Sequence, residues 1–491
     1  MNRLPWSPTT GIFQPSGLAK RLLPVPRCTI SHEANVAKSS FKLSDITPRS
    51  GDMQYSHLIN DIVISDAPKH PIAGLPMAVL FTAIVLLNAS LSACATDVTP
   101  ADGFAVYDSA GIHIVENAGP MWSEISAWTL AAEPSVEIGA DQADSTQHLF
   151  GVTGAERLGD GRIVIANSGT KELRVFDVRG AFVQAVGRSG DGPGEFGTLH
   201  RLYRCGKDSL AVDELRRVSH FDAQGHFVRT EHIGRRPGDG IQHMEAISAD
   251  CAAILVLDRE PLVPPFGRGI FHQKQTLYWT ATDGKRDTIA SFPGRERVTV
   301  TLPGFGAAPA PLPWGKEPVW TTDGEVVYLG MADDFEVRAF DRHGALRTII
   351  RWAAERQPVT RADRALFAER REAFLEKNPG EARLTPELAA YPTLPMEKPA
   401  YSRLLLDDEG NLWVRQYPRS ETGTPGAPLP RRDENPESWW VFDPSGRLLG
   451  TIRIPSALKV LAIRGGHVVA LWLDQDEVER VRLYPLQQRD R

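Results

Sequence analysis

Leu158-Gly-Asp-Gly-Arg-Ile-Val-Ile-Ala-Asn167, Leu173-Arg-Val-Phe-Asp-Val-Arg-Gly-Ala-Phe182 and Gly190-Asp-Gly-Pro-Gly-Glu-Phe196 follow one another, and the cycle then restarts and runs to His220-Phe-Asp-Ala-Gln-Gly-His-Phe227. The two Phe-Asp-x-x-Gly turns, at Phe176 and Phe221, stand 45 residues apart, the length of one four-stranded unit with short connections. Such a unit cannot bury both its faces alone, so it must stack against copies of itself.

Working outward, a turn followed by an almost continuous apolar strand recurs six times: Ile163 to Ala166, Ser209 to Val212, Ala252 to Leu257, Val326 to Leu329, Asn411 to Val414 and Val468 to Leu473. The lack of apolar/polar alternation means that both faces of each sheet are covered. The turns that follow are Asp177-Val-Arg-Gly180, Asp222-Ala-Gln-Gly225, Asp341-Arg-His-Gly344 and Asp443-Pro-Ser-Gly446, with Asp283-Gly284 as a tighter variant. Asp first and Gly fourth suit a type I turn, so these aspartates are turn formers rather than calcium ligands or catalytic groups. The last repeat offers only three strands, and residues 133 to 139 lie ahead of the first repeat with no blade before them. The expectation is an all-β, six-bladed β-propeller of four-stranded antiparallel blades over 128–491, closed by this N-terminal strand, which removes exposed sheet edges.

The Gly-Asp-Gly-Pro-Gly-Glu-Phe connector, the Asp-Gly turns and the Val-Phe-Asp-x-x-Gly units resemble NHL-type repeats of six-bladed β-propellers, most closely those of uncharacterised bacterial propeller lipoproteins. The likeness is strong over the first two blades and weaker beyond residue 240, where insertions break the period. It implies a fold, which does not assign an activity. With strands lettered A to D from the pore outward, the long insertions 259–275 and 418–437 are B-to-C connections, and 293–314 and 352–397 are D-to-A connections. All four emerge on one face, the candidate working surface. Within a helical insert at about 356–390, Thr360 to Lys377 reads as a helix capped by Thr360 with Asp363 three residues on, and a second short helix starts at Thr385-Pro-Glu. Leu366, Phe367, Phe374 and Leu375 form its apolar stripe, which calls for a packing partner.

Composition is ordinary for a globular chain, with 42% hydrophobic residues among 491. The formal charge of −6 is uneven: residues 1–93 hold 8 Lys+Arg against 5 Asp+Glu, leaving the rest at −9. A mildly acidic body argues against a nucleic-acid partner, which would want a basic stripe. Residues 1–76 show no structural period and are read as an extension without a fold, disordered or not part of the translated chain. Met77 to Leu87 is short for a membrane-spanning helix and suits a signal-peptide core over 77–93. The following Leu91-Ser-Ala-Cys94 resembles a bacterial lipobox, which implies lipidation of Cys94, a membrane anchor and an extracytoplasmic location on the periplasmic or outer-membrane side. Some seventy residues precede that core, with only Lys69 close upstream, so the start of translation is expected nearer to it. Residues 94–127 then form a tether and an accessory hairpin, Phe104 to Asn117.

Chemistry is sparse. No Gly-x-Ser-x-Gly elbow, His-Glu-x-x-His, P-loop or dinucleotide fingerprint occurs. A zinc site would need about three histidines converging from inner strands, and only His200 and His243 are so placed. A calcium site of the gluconolactonase kind needs carboxylates and Asn from several inner strands, where only Glu156 and Glu245 stand. Cys205 and Cys251 occupy corresponding A-to-B turns of neighbouring blades; the alternatives are a disulfide between blades, natural in an oxidising compartment, and two free buried thiols. Two functions follow: a lipid-anchored, monomeric binding or scaffold propeller for a protein, peptide or glycan, with no cofactor, or a calcium- or zinc-dependent hydrolase or lyase at the pore mouth.

Overall fold

A computed structural model describes residues 103–121, 128–141, 143–233, 239–264, 266, 269–302, 306–377, 395–418 and 436–488. Cys94, the 77–93 segment and the second short helix at Thr385 lie outside the described residues. The chain from 128 onward forms a six-bladed β-propeller. Blade 1 is Val152–Arg157, Ile163–Asn167, Glu172–Phe176 and Phe182–Val186. Blade 2 is Arg201–Cys205, Ser209–Asp213, Arg217–Phe221 and Phe227–His232. Blade 3 is Ile241–Ile247, Ala253–Arg259, Ile270–Ala281, Arg286–Leu302 and a fifth strand, Gly306–Pro311. Blade 4 is Val319–Thr322, Val327–Gly330, Glu336–Phe340 and Leu346–Trp352. Blade 5 is Tyr401–Leu406, Leu412–Gln416, Glu437–Phe442 and Leu448–Ile454. Blade 6 has three strands of its own, Lys459–Arg464, His467–Leu473 and Glu479–Gln488. Its outer edge pairs antiparallel with Val136–Ile138 and, farther along, with Trp128–Leu130.

Six apolar clusters fill the six interfaces between blades. This explains the continuous apolar B strands: Ile163, Ile165 and Val164, Ala166 alternate between two different cores, one shared with blade 6 and one with blade 2. Each fully buried branched or aromatic side chain contributes about 1.5–3 kcal/mol, and the sum is spread around the ring.

The Asp-x-x-Gly turns link neighbours as well as strands. In each of the four, Asp Oδ1 accepts the backbone N–H groups two and four residues on. Glycine is required at the fourth place for two reasons. Its φ is positive, +86° at Gly180 and +82° at Gly344, a conformation costly for other residues. A Cβ would also strike the outer strand of the preceding blade: Val136 from Gly180, Val186 from Gly225, the Thr288 carbonyl from Gly344 and Ile350 from Gly446.

The connector from blade 1 to blade 2 folds on itself. Glu195 accepts from Gly192 N (3.0 Å) and Arg188 Nε (2.8 Å), and Phe196 is driven wholly into the core between blades 1 and 2. The connector from Gly139 to the first strand of blade 1 follows the same plan. Leu149 is the buried plug between blades 6 and 1, packed under Gly139 as Phe196 is under Gly187, while Phe150 lies at the surface.

One insertion departs from expectation and one keeps to it. Residues 293–314, read as a connection, continue the outer strand of blade 3 and fold back as Gly306–Pro311, giving a ribbon on the loop-rich side. Val298 and Val300 alternate with Thr299, which suits a strand whose apolar side packs with Ala310 and Leu312. The helix α1, Arg361–Lys377, starts at the expected Thr360. Thr360 N and Oγ1 donate to Asp363, and Asp363 N donates to Thr360 Oγ1, a reciprocal cap. Phe367 packs on Trp314, Val359 and Tyr417, which fixes α1 over blades 4 and 5.

The hairpin Phe104–Ser109 and Ile112–Asn117 is more than an accessory. Its second strand pairs in parallel with the outer strand of blade 4, Val115 opposite Ile350, and makes that sheet six-stranded. The buried Asn117 side chain donates to Arg351 O and Gly446 O and accepts from Leu448 N, joining blade 4 to blade 5. Met121 N then bonds Leu448 O, and Trp128 lies 6.0 Å from Trp413. The N-terminal segment is thus a strap touching blades 4, 5 and 6 in turn. Cys205 and Cys251 are bonded, Cα atoms 5.5 Å apart, across the A-to-B ends of blades 2 and 3.

Candidate functional site

The channel of a propeller is lined by alternate residues of the six innermost strands, and its two mouths differ here. At the A-to-B mouth, Glu156 meets Arg464 of blade 6 (3.3 Å). Burial pushes the Glu156 carboxyl up, against the opposing pull of Arg464 and Arg204. Nearby, Arg464 donates to Leu406 O, and Gly465 N donates to Asp408. One ion pair and these bonds to the backbone tie blades 5, 6 and 1 together at this mouth.

The opposite mouth, on the loop-rich side, holds the other three expected residues. His200 immediately precedes the inner strand of blade 2, and its Nδ1 is 2.8 Å from Asp213 Oδ2. An ionised carboxylate only accepts, so Nδ1 carries the proton, and Nε2 has no partner among the described residues. Asp213 is itself fixed by Leu215 N at 2.7 Å and is buried. Glu245 pairs with Arg201 of the neighbouring blade at 2.8 Å. His243 stands two residues before Glu245, and burial, followed by Arg259, lowers its pKa, so the ring is neutral at pH 7.

Glu156 lies near the A-to-B end of its strand, whereas His200 precedes the inner strand of blade 2 and His243 and Glu245 fall within that of blade 3. Among the described residues no group of three His, Cys, Asp or Glu side chains is placed to hold a metal ion. The carboxylates near the two histidines are bonded within the protein, Glu245 to Arg201 and Asp213 to His200.

Arginines complete this mouth. Arg201 and Tyr203 share a face of the inner strand of blade 2, where burial raises the Tyr203 phenol well above its ordinary value. From blade 5, Arg403 donates Nη1 to Val460 O at 2.7 Å. Burial brings its pKa down to about 10, with Arg415 adding to the effect and Glu437 opposing it. Arg415 forms a two-bond pair with Glu437 (2.8 and 2.6 Å). Arginines on inner strands, in Arg201-Leu-Tyr203 and Tyr401-Ser-Arg403, were the readable signal, since an inner strand has no solvent face other than the channel.

Beside blade 5, Glu437 also lines a cavity of about 910 Å³ beneath the start of α1, with Arg356, Gln357, Gln416 and Arg453 among its walls. Lys398 and Asp363 form a buried pair at its edge (2.7 Å). No helix of the described residues is long and apolar enough to cross a membrane.

No curated protein matches this sequence. Among solved structures, similarity extends to BF0058 of Bacteroides fragilis, provisionally described as an exported protein, at 13% identity over 77% of this chain and 100% of that one (TM-score 0.40). A DUF4221 family member from Bacteroides vulgatus is similar at 10% identity over 74% of this chain and 100% of that one (TM-score 0.44). Virginiamycin B lyase from Staphylococcus aureus is similar at 8% identity, again over 74% and 100% (TM-score 0.34). Residues 148–237, which hold the connector and both Phe-Asp-x-x-Gly turns, match the model of a protein family described as "6-bladed beta-propeller".

Proposed function

We propose that this protein is an exported, lipid-anchored binding module that captures its ligand, a protein, peptide or glycan, on the loop-rich face. The observation that carries the reading is the inequality of the two mouths. The A-to-B mouth consists of short turns and the Glu156–Arg464 ion pair, whereas the other combines the blade 3 ribbon, α1 and a large cavity. Rigid scaffolds concentrate binding residues in such loops. Export and anchoring rest on the apolar run before Cys94 and agree with a disulfide at Cys205–Cys251.

A photocrosslinking residue at Val263 or Met396, exposed on the loop-rich face, is expected to yield adducts in cell envelopes, and one at Val178 on the other face is not. Equal adducts from both faces, or none from the first, would defeat the reading. Cys94→Ser is expected to release the protein from membranes.

Catalysis at this mouth is the second reading, and the His200–Asp213 pair favours it, because it presents an oriented imidazole Nε2 to the channel as a general base. Its test is substrate-independent at first: the Nδ1 proton of His200 should be visible by NMR as a hydrogen-bonded imidazole N–H, and Asp213→Ala should abolish that signal.

A further inference from the structure

The cavity beneath the start of α1 balances its charge from within. Among the described residues its walls hold three carboxylates, Glu355, Asp363 and Glu437, and three cations, Arg356, Lys398 and Arg453. The buried members are already paired, Lys398 Nζ with Asp363 Oδ1 at 2.7 Å and Glu437 through two bonds from Arg415. Burial alone would raise the Asp363 pKa, but bonds from Lys398 and Thr360 outweigh it and hold it low. Arg356 reaches Asp334 (3.4 Å) and Glu397 (3.8 Å), while Glu355 and Arg453 are exposed and of opposite sign. A charged ligand would thus enter without a buried counter-ion to meet it, and desolvating such a charge is costly. What the walls leave uncommitted is hydrogen bonding. Gln357, Gln416 and Ser438 line the cavity, and their side chains bond no described residue. Amides and hydroxyls both donate and accept, and the Lys398 ammonium has donors beyond the one given to Asp363. Leu366, Tyr417, Pro418 and Pro436 place apolar surface between these groups.

We propose that this cavity binds a neutral saccharide, with Gln357, Gln416 and Ser438 bonding its hydroxyls and Leu366 and Tyr417 packing on its C–H faces. The proposal rests on the loop-rich face being the binding face and chooses the glycan among the ligands of that reading. A sugar carries hydroxyls that donate and accept around an apolar ring face, which matches walls of neutral charge and mixed polarity. The volume, about 910 Å³, suits a small ligand, whose sites span about 300–1,000 Å³. The cavity lies across the ends of three blade 5 strands, at Gln416, Glu437 and Arg453, rather than along an edge. The strand pairing by which peptides are often captured has no place there.

The purified full-length protein should be titrated with maltose, cellobiose, lactose and chitobiose, all neutral disaccharides, and with glucuronic acid as the charged comparison, each followed by saturation-transfer NMR. Saturable transfer to at least one disaccharide is expected, with weaker or no transfer to glucuronic acid. Gln416→Ala and Gln357→Ala should each weaken the affinity about tenfold, the equivalent of one lost hydrogen bond. Gln224→Ala, in a turn on the opposite face, should leave it unchanged. Should neither cavity variant fold, the wild type still decides: the bound disaccharide should slow hydrogen exchange in peptides covering 355–363 and 436–438. No transfer to any of the disaccharides, tighter binding of glucuronic acid, unaltered affinity in both variants, or protection confined to other segments would overturn the proposal. Envelope adducts from Val263 or Met396 without disaccharide binding would keep the binding face and discard the saccharide site. Disaccharide binding without adducts would keep the site and discard the capture of an envelope ligand.

Discussion

Asp443 shows how much one side chain contributes here. Burial alone would raise its pKa, but hydrogen bonds from Ser445 and from the backbone and guanidinium of Arg447 outweigh that and hold it low. A carboxylate with a depressed folded-state pKa contributes stability that is present above its unfolded value, about 3.9, and is lost as pH falls through the folded one. Asp443→Ala should therefore cost about 1–3 kcal/mol in urea unfolding at pH 7, and the gap between wild type and variant should narrow from about pH 4 downward. A gap that stays constant with pH would mean that the carboxylate charge is irrelevant. Phe196 and Phe150, which look alike in sequence, should diverge: Phe196→Ala is expected to cost about 3–5 kcal/mol, and Phe150→Ala less than about 0.5 kcal/mol.

At the scale of elements, what was legible in the sequence was whatever closes locally. Asp177 and Gly180 declare their turn because donor, acceptor and φ all fall within five residues, and Thr360 with Asp363 declares a helix start for the same reason. The pairing of Val115 with Ile350 had no local sign, since parallel partners more than two hundred residues apart share no turn. The same holds for the site. His200 and His243 could be placed near one mouth from strand order, but the Arg464 partner of Glu156 could not be foreseen, because it comes from a blade at the far end of the chain. The glycines offer a graded test. Gly344→Ala and Gly111→Ala both force alanine into positive φ, at about 1–2 kcal/mol. Only Gly344 would also place a Cβ 2.2 Å from a carbonyl of the neighbouring blade, whereas Gly111 has open space. Gly344→Ala should be the more destabilising by at least about 1 kcal/mol; equal losses would mean that the turns do not lock the blades.

For the whole molecule, the Cys205–Cys251 bond closes a loop of 46 residues, and the chain-entropy model gives it a ceiling of about 4 kcal/mol. The double variant Cys205→Ala/Cys251→Ala should lose about 2–4 kcal/mol, and reduction of the intact protein should add the mass of two hydrogens. An unchanged mass would refute the bond itself.

The seam of the ring imposes an order on its birth. Glu137 and Arg480, salt-bridged across the closing pair, are separated by 343 positions along the chain. At translation rates of 5–20 residues per second, the first strand leaves the ribosome roughly 20–70 s before its partner exists. Through that interval the nascent chain carries an unmatched β-edge at its leading end, so the ring cannot shut until synthesis is nearly finished. A ribosome that stalls short of residue 479 releases not a smaller propeller but an open one, a natural substrate for quality control.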